Sequence, residues 1–136
     1  MYPEQIVSPM KAELTSVGFE ELLNIAAVDA AIKSEGTVLV VVNSVCGCAA
    51  GAARPGVKKS LENAKKPSKL TTVFAGFDVD AVNQARKYFS PYPASSPAIA
   101  LFKNGELVHF VERHNIEGRN ANMIAEHLKM VYDEFC

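Results

Sequence analysis

The stretch Thr37-Val-Leu-Val-Val-Val-Asn43, followed at once by Ser44-Val-Cys46-Gly-Cys48-Ala-Ala-Gly-Ala-Ala-Arg54-Pro55, decides the fold. A continuous β-branched run of this kind is the signature of a strand buried on both faces. After it, Ala50, Ala53, Val57, Leu61 and Ala64 recur at helical spacing, so the chain passes from a central strand into a helix with two cysteines at the junction. Pro55 sits inside that helix, removes a backbone donor and is expected to kink it. Lys65-Lys66-Pro67 is expected to end it.

Working outward, Leu70 to Phe77 reads as a second strand, and Asp78 as the N-cap of a helix carrying Val79, Val82, Ala85 and Phe89. Ala98 to Lys103 and Glu106 to Glu112 read as two strands joined by Asn104-Gly105, a strong hairpin signal. A last helix from about Asn120 stacks Ile124, Leu128, Val131 and Phe135. Before Thr37, Ser8 and Pro9 read as the cap and first residue of a helix that stops at Gly18, and a second short helix lies within Leu22 to Lys33. From Thr37 the order is therefore β-α-β-α-β-β-α. The first two strands should be parallel, because a helix crosses between them, and the hairpin adds an antiparallel edge. The expectation is one α/β domain over residues 1–136. Its mixed four-stranded sheet, with helices on both faces and an N-terminal helical extension, is the thioredoxin-like architecture.

Composition narrows the function. In 136 residues, 14 Lys and Arg face 15 Asp and Glu, for a net charge of −1. That balance offers no broad attraction for nucleic acid or anionic lipid, so neither is an expected partner. Three cysteines are too few, and an odd number, for a secreted disulfide scaffold. The N-terminus lacks a basic region followed by an apolar run, and Val38 to Val42 is far short of the ~20 residues that span a bilayer. The expected compartment is the cytoplasm, where a close thiol pair is more often catalytic or metal-binding than structural.

The junction places Cys46 at the carboxyl edge of the sheet, in or next to the first turn of a helix. Free N–H groups and the positive dipole end there favour a thiolate. A free thiol has a pKa of about 8.5, and helix N-termini lower that to roughly 3.5 to 7.5. Gly47 leaves the approach of a disulfide unobstructed. Helical Cα atoms at i and i+2 lie about 5.5 Å apart, but their Cβ bonds point about 160° apart around the axis. A Cys46–Cys48 disulfide is therefore expected to be strained and easily reduced, with a potential well above about −270 mV. Metal binding by the two thiolates needs further ligands, and Cys136, His109, His114 and His127 show no ligand spacing to the pair. No metal is therefore assigned. Cys136 reads as an incidental terminal thiol, with a resolving role as the alternative.

Ser96-Pro97 precedes the third strand. In a thioredoxin-like fold this is the position of a cis-proline facing the active cysteine, and Ser96 would offer backbone groups to a bound peptide by strand addition.

Asn43-Ser-Val-Cys-Gly-Cys-Ala-Ala-Gly-Ala-Ala-Arg-Pro55 closely resembles the signature of the bacilliredoxin family. Tyr92-Pro-Ala-Ser-Ser-Pro-Ala-Ile-Ala-Leu-Phe-Lys-Asn-Gly105 and Arg113-His-Asn-Ile-Glu-Gly-Arg119 support the resemblance. It implies a thioredoxin-like thiol–disulfide oxidoreductase that accepts bacillithiol from mixed disulfides on oxidised cytoplasmic proteins, or isomerises their disulfides. By that resemblance Cys46 would attack and Cys48 would resolve, with Gly47, Ser96 and Pro97 contacting the substrate. No cofactor is implied, and a low-molecular-weight thiol such as bacillithiol would be the co-substrate. The client proteins and that thiol are the expected partners. The chain holds no second redox centre, so its reductant would come from outside.

Arg54 and the Arg113 to Arg119 loop would contact an anionic substrate, such as bacillithiol's malate, or else be surface cations and a strand-to-helix connection. His114 is a candidate proton shuttle that nothing in the sequence sets near Cys46. Two other classes of function compete: a thiolate metal carrier using Cys46 and Cys48, and a non-catalytic thioredoxin-like interaction domain.

Overall fold

A computed structural model describes residues 2–136 of the chain. The elements run α1 (Glu4–Thr15), β1 (Glu20–Glu21), α2 (Ile25–Ile32), β2 (Thr37–Asn43), a π-helical turn (Ala49–Ala53), α3 (Arg54–Ser60) and β3 (Lys69–Phe74). They continue with α4 (Val79–Lys87), β4 (Ala98–Lys103), β5 (Glu106–Val111), α5 (Arg113–Ile116) and α6 (Ala121–Phe135). The strands form one sheet in the order β1-β3-β2-β4-β5. β2 pairs parallel to β3 and antiparallel to β4, and β4 pairs antiparallel to β5.

β2 is the centre, and every one of its seven residues is buried. The period-two alternation of a strand splits it between two cores. Val38, Val40 and Val42 face Val28 and Ile32 of α2 and Ala81, Val82 and Ala85 of α4. Leu39 and Val41 face Leu14 of α1, Val57 of α3, and Ile124, Leu128 and Tyr132 of α6. Helices thus cover both faces, as the unbroken β-branched run requires.

The sheet has five strands rather than four. The extra one, Glu20–Glu21, pairs in parallel with Thr71–Thr72 and carries no apolar pattern. It exists because the chain leaving α1 runs beside the open edge of β3. The first helix begins at Glu4, so Pro9 lies inside it instead of opening it. Pro9 is on the exposed side, where water can serve the carbonyl that loses its donor. Asp78 stands at the N-cap of α4 without a side-chain capping bond. Its carboxylate is taken by Lys11 at 2.7 Å.

The helix after β2 ends at Ser60, short of Lys65, and its irregularity is a π-helical turn placed directly before Pro55. Pro55 has no N–H to return to the preceding turn, and the wider turn accommodates it. α3 then crosses α6 closely. A Cβ built on Gly56 would lie 2.6 Å from Ile124 Cβ, so only glycine permits this approach. The hairpin has the expected turn, with Asn104 at φ 51° and Gly105 at φ 84°.

Candidate active site

β2 delivers the chain to Asn43, and the backbone then turns so that Gly47 and Cys48 are already helical. The Cys46 carbonyl accepts from the N–H groups of Ala49 and Ala50 at 3.1 and 3.2 Å, which fixes Cys46 at the head of the first turn. Ser44 Oγ lies 3.3 Å from Cys46 Sγ, donating to it, and accepts from the Cys46 N–H at 3.3 Å. Cys46 and Cys48 are both free thiols and partly buried. At Gly47 a built Cβ meets nothing within 4 Å, so the space in front of the pair is open.

Below this loop lies Arg54, which is 2% exposed. Its Nη1 donates to the Ser44 carbonyl at 2.7 Å and to Asn43 Oδ1 at 3.0 Å. Its Nε is 3.2 Å from Glu13 Oε1, an ion pair rather than an aligned hydrogen bond. Asn43 Oδ1 also accepts from the Ser44 N–H at 2.9 Å, and its amide donates to the Met10 carbonyl at 3.2 Å. Arg54 is therefore neither a surface cation nor free to meet a substrate. It holds the strand end in the shape that presents Ser44 and Cys46.

The Ser96–Pro97 bond is cis, as expected, and the Ser90–Pro91 bond is cis as well. Val42 pairs with Ala98, and continuing that antiparallel register by one residue sets Pro97 opposite Asn43. The cis-proline loop thus stands beside the strand end that carries the cysteines. Ser96, expected to offer backbone groups to a peptide, has its carbonyl engaged at 3.1 Å by Arg113 Nη1, which leaves that oxygen one lone pair.

Arg113 is the residue that sequence reasoning placed only in a loop. That loop contains the short helix α5, and Arg113 opens it. Its Nη2 reaches Cys48 Sγ at 4.0 Å, its Nε donates to Glu117 Oε1 at 2.8 Å, and its N–H meets Ser95 Oγ at 3.3 Å. One guanidinium thus joins the cysteine pair to the cis-proline loop. A basic residue directly after the expected strand Glu106 to Glu112 was the signal available in the sequence. His114, by contrast, is 70% exposed and faces Glu112.

The electrostatics divide the two thiols. Burial pushes the Cys46 thiol up, but the Ser44 hydroxyl, the N–H groups of Ala49 and Cys48 and the charge of Arg113 outweigh it. The net result is a thiol held below its ordinary value. Cys48 is pushed up, first by burial and then by the negative charge and hydrogen bonding of Cys46. Its flank packs against the apolar core below α3 and α6. Such a pair offers one thiol poised to ionise and one kept protonated, the division that nucleophilic thiol chemistry uses.

Among the described residues, no three His, Cys, Asp or Glu side chains converge in a way that could hold a metal ion. Cys136 lies beside Thr37, at the opposite end of β2 from Asn43. Six residue-to-residue steps along the strand separate those ends by about 20 Å, which removes Cys136 as a resolving thiol for Cys46 within one chain. No helix among the described residues is long and apolar enough to cross a membrane.

Residues 2–136 match the family model described as disulphide isomerase. The chain is 69% identical over 134 residues to a bacilliredoxin of Cytophaga hutchinsonii, covering 98% of this chain and 99% of that one. It is 51% identical over 136 residues to a bacilliredoxin of Halalkalibacterium halodurans, covering 99% and 94%. Among solved structures it is similar to oxidised mitochondrial thioredoxin 3 of Saccharomyces cerevisiae, with a TM-score of 0.61 at 16% identity over 90% of this chain and 98% of that one. Thioredoxin of Plasmodium falciparum aligns with a TM-score of 0.57 at 19% identity, covering 86% and 99%. At such identities these two likenesses speak to the fold, which is that of thioredoxin.

Proposed function

This chain belongs to the disulphide isomerase family, with bacilliredoxins among its relatives and thiol–disulfide oxidoreduction as its general chemistry, and from that premise we propose that it removes bacillithiol from, or isomerises disulfides in, oxidised cytoplasmic proteins through Cys46. The thiolate of Cys46 attacks the bacillithiol-side sulfur of a client mixed disulfide. A new Cys46–bacillithiol disulfide forms, the sulfur–sulfur bond of the client mixed disulfide breaks, and the client leaves as a thiolate that takes a proton from water. A second small thiol then attacks the mixed disulfide, releases bacillithiol in a disulfide with that thiol and returns Cys46 reduced.

The observation that carries this reading is the setting of Cys46: a Ser44 hydroxyl at 3.3 Å, helix-start N–H groups and a guanidinium together favour its ionised form. The cycle favours the small thiol over Cys48 for the second step. Cys48 is held protonated by burial, and the i, i+2 geometry opposes its disulfide with Cys46. Part of what raises Cys48 is the Cys46 charge, and that part vanishes once Cys46 is bound in a mixed disulfide. Cys48 therefore becomes more acidic only after the first step, which orders the two thiols in time. Gly47 leaves the approach open, and the cis-Pro97 loop with Ser96 would receive the client backbone.

Mixing the reduced protein with a bacillithiolated client and following both masses tests the reading. The expected result is transfer of one bacillithiol to Cys46, lost in Cys46→Ala and retained within about twofold in Cys48→Ala when a small thiol is in excess. Release from the client by Cys46→Ala at the rate of the unmodified protein would overturn it.

A further inference from the structure

We propose that the cleft between β5, α5 and α6 binds a small oxyanion, of the phosphate or short-carboxylate class, through His109, Asn115, Arg119 and His127. These side chains line a cavity of about 210 Å³ whose remaining walls include Phe110 and Ile124. The cleft is separate from the cysteine pair, and nothing in the thiol cycle uses it.

The fold builds this cleft by an irregularity. β5 carries a bulge where Leu101 pairs with His109 while Phe102 pairs with Leu107. Leu107 packs on the core under α2 and α4, whereas Val108 packs on the opposite core under α6. His109, next in the chain, also faces α6, with its Nε2 2.9 Å from Nε2 of His127. The bulge thus places consecutive residues on one face and aims an imidazole at its partner, a use bulges often serve.

The polar groups around the cavity are donors or become donors on gaining a proton. At 2.9 Å the two Nε2 atoms share one proton, so in the neutral pair one ring donates through Nε2 and the accepting ring carries its proton on Nδ1, the one ring N–H left over for a ligand. A further proton adds a second ring N–H donor and a positive charge to the pair, which an anion bound beside the rings in the cavity stabilises. Arg119 is exposed at the mouth. Asn115 Oδ1 accepts from the Glu112 N–H at 3.1 Å, which leaves its amide hydrogens to donate. No carboxylate lines the cavity. The charged groups facing the pair are Arg119, which acts on His127, and Glu134 of α6, which acts on His109 from the adjoining groove. Burial, and then His127, push His109 down, while Glu134 partly opposes this; burial, and then Arg119, push His127 down. The charge of a bound anion acts against these effects and favours the protonated pair, so binding takes up a proton and strengthens as pH falls.

Histidine ring NMR at constant ionic strength, with sulfate and malonate as probes, tests the site at pH 6 and pH 8. The expected result is saturable shifts of both His109 and His127 with at least one probe, tighter by at least about fivefold at pH 6. Arg119→Gln should weaken that binding by about tenfold while leaving the rate of Cys46 alkylation unchanged. Stronger sulfate binding would assign the phosphate class, and stronger malonate binding the carboxylate class. Absence of saturation by both probes at pH 6, equal affinity at the two pH values, or binding indifferent to Arg119→Gln would each overturn the proposal.

Discussion

Two regions meet at the cysteine pair, and they are built on different principles. The segment from Asn43 to Ser60 makes its site from near neighbours: Ser44 serves Cys46, the following turn supplies N–H groups, and Arg54 ties the strand end from below. The segment from Ser95 to Glu117 arrives from 65 residues away in the case of the Arg113–Cys48 approach, and it does so through an exposed side chain. The first region is buried and over-determined, and the second is solvated and adjustable. The difference teaches that one face of the pair fixes the shape and acidity of Cys46, while the other adjusts its charge from the solvent side.

Breaking the buried side should cost most. Arg54→Leu deprives the Ser44 carbonyl of its 2.7 Å donor and leaves Glu13 unpaired, so a loss of about 3 kcal/mol is expected by chemical denaturation. A variant as stable as the parent would mean that the two regions do not differ in the way described. Gly56→Ala comes next. The added methyl falls 2.6 Å from Ile124 Cβ, and forcing α3 from α6 should cost about 1–3 kcal/mol in the same measurement.

The remaining effects are chemical. Ser44→Ala removes the nearest donor to the Cys46 sulfur and should slow its alkylation at pH 7 by about three- to tenfold, as read by mass mapping, with little change in stability. Arg113→Gln should have the smallest effect, about a twofold slowing that weakens further with salt, because its charge is screened by water. A larger effect from Arg113 than from Ser44 would invert the comparison.

The pH profile sharpens it further. Since Cys46 is held below the ordinary thiol value, its alkylation should persist into a lower pH range than that of Cys48 and fall as pH drops through its depressed pKa. The matching contribution to stability has the same sign: it is present above the unfolded thiol value, about 8.5, and is lost as pH falls through the folded one. Coincident alkylation profiles for the two cysteines would show that their surroundings do not distinguish them.

The two regions also differ in how plainly the chain announces them. The unbroken run Thr37 to Asn43, the Asn104-Gly105 turn and the cysteines at a strand-to-helix junction each carry their own physical signal, because periodicity and turn chemistry are local. β1 has no such signal: two glutamates become a strand only because β3 has an open edge beside them. Arg54 reads as an exposed cation until the strand end folds over it. Asp78 does stand at the N-cap of α4, but it makes no capping bond, since Lys11 from α1 claims its carboxylate.

By itself, then, the sequence determined the thioredoxin-like order of elements and the position of Cys46 at the head of a helix, since both follow from contacts within a few residues. Only the tertiary structure decided that Arg54 is a buried brace, that Arg113 joins Cys48 to the Ser96 carbonyl, and that Cys136 lies at the far end of β2. Those are relations between segments distant in the chain. Their distances are set by sheet register and helix packing, which no local pattern encodes.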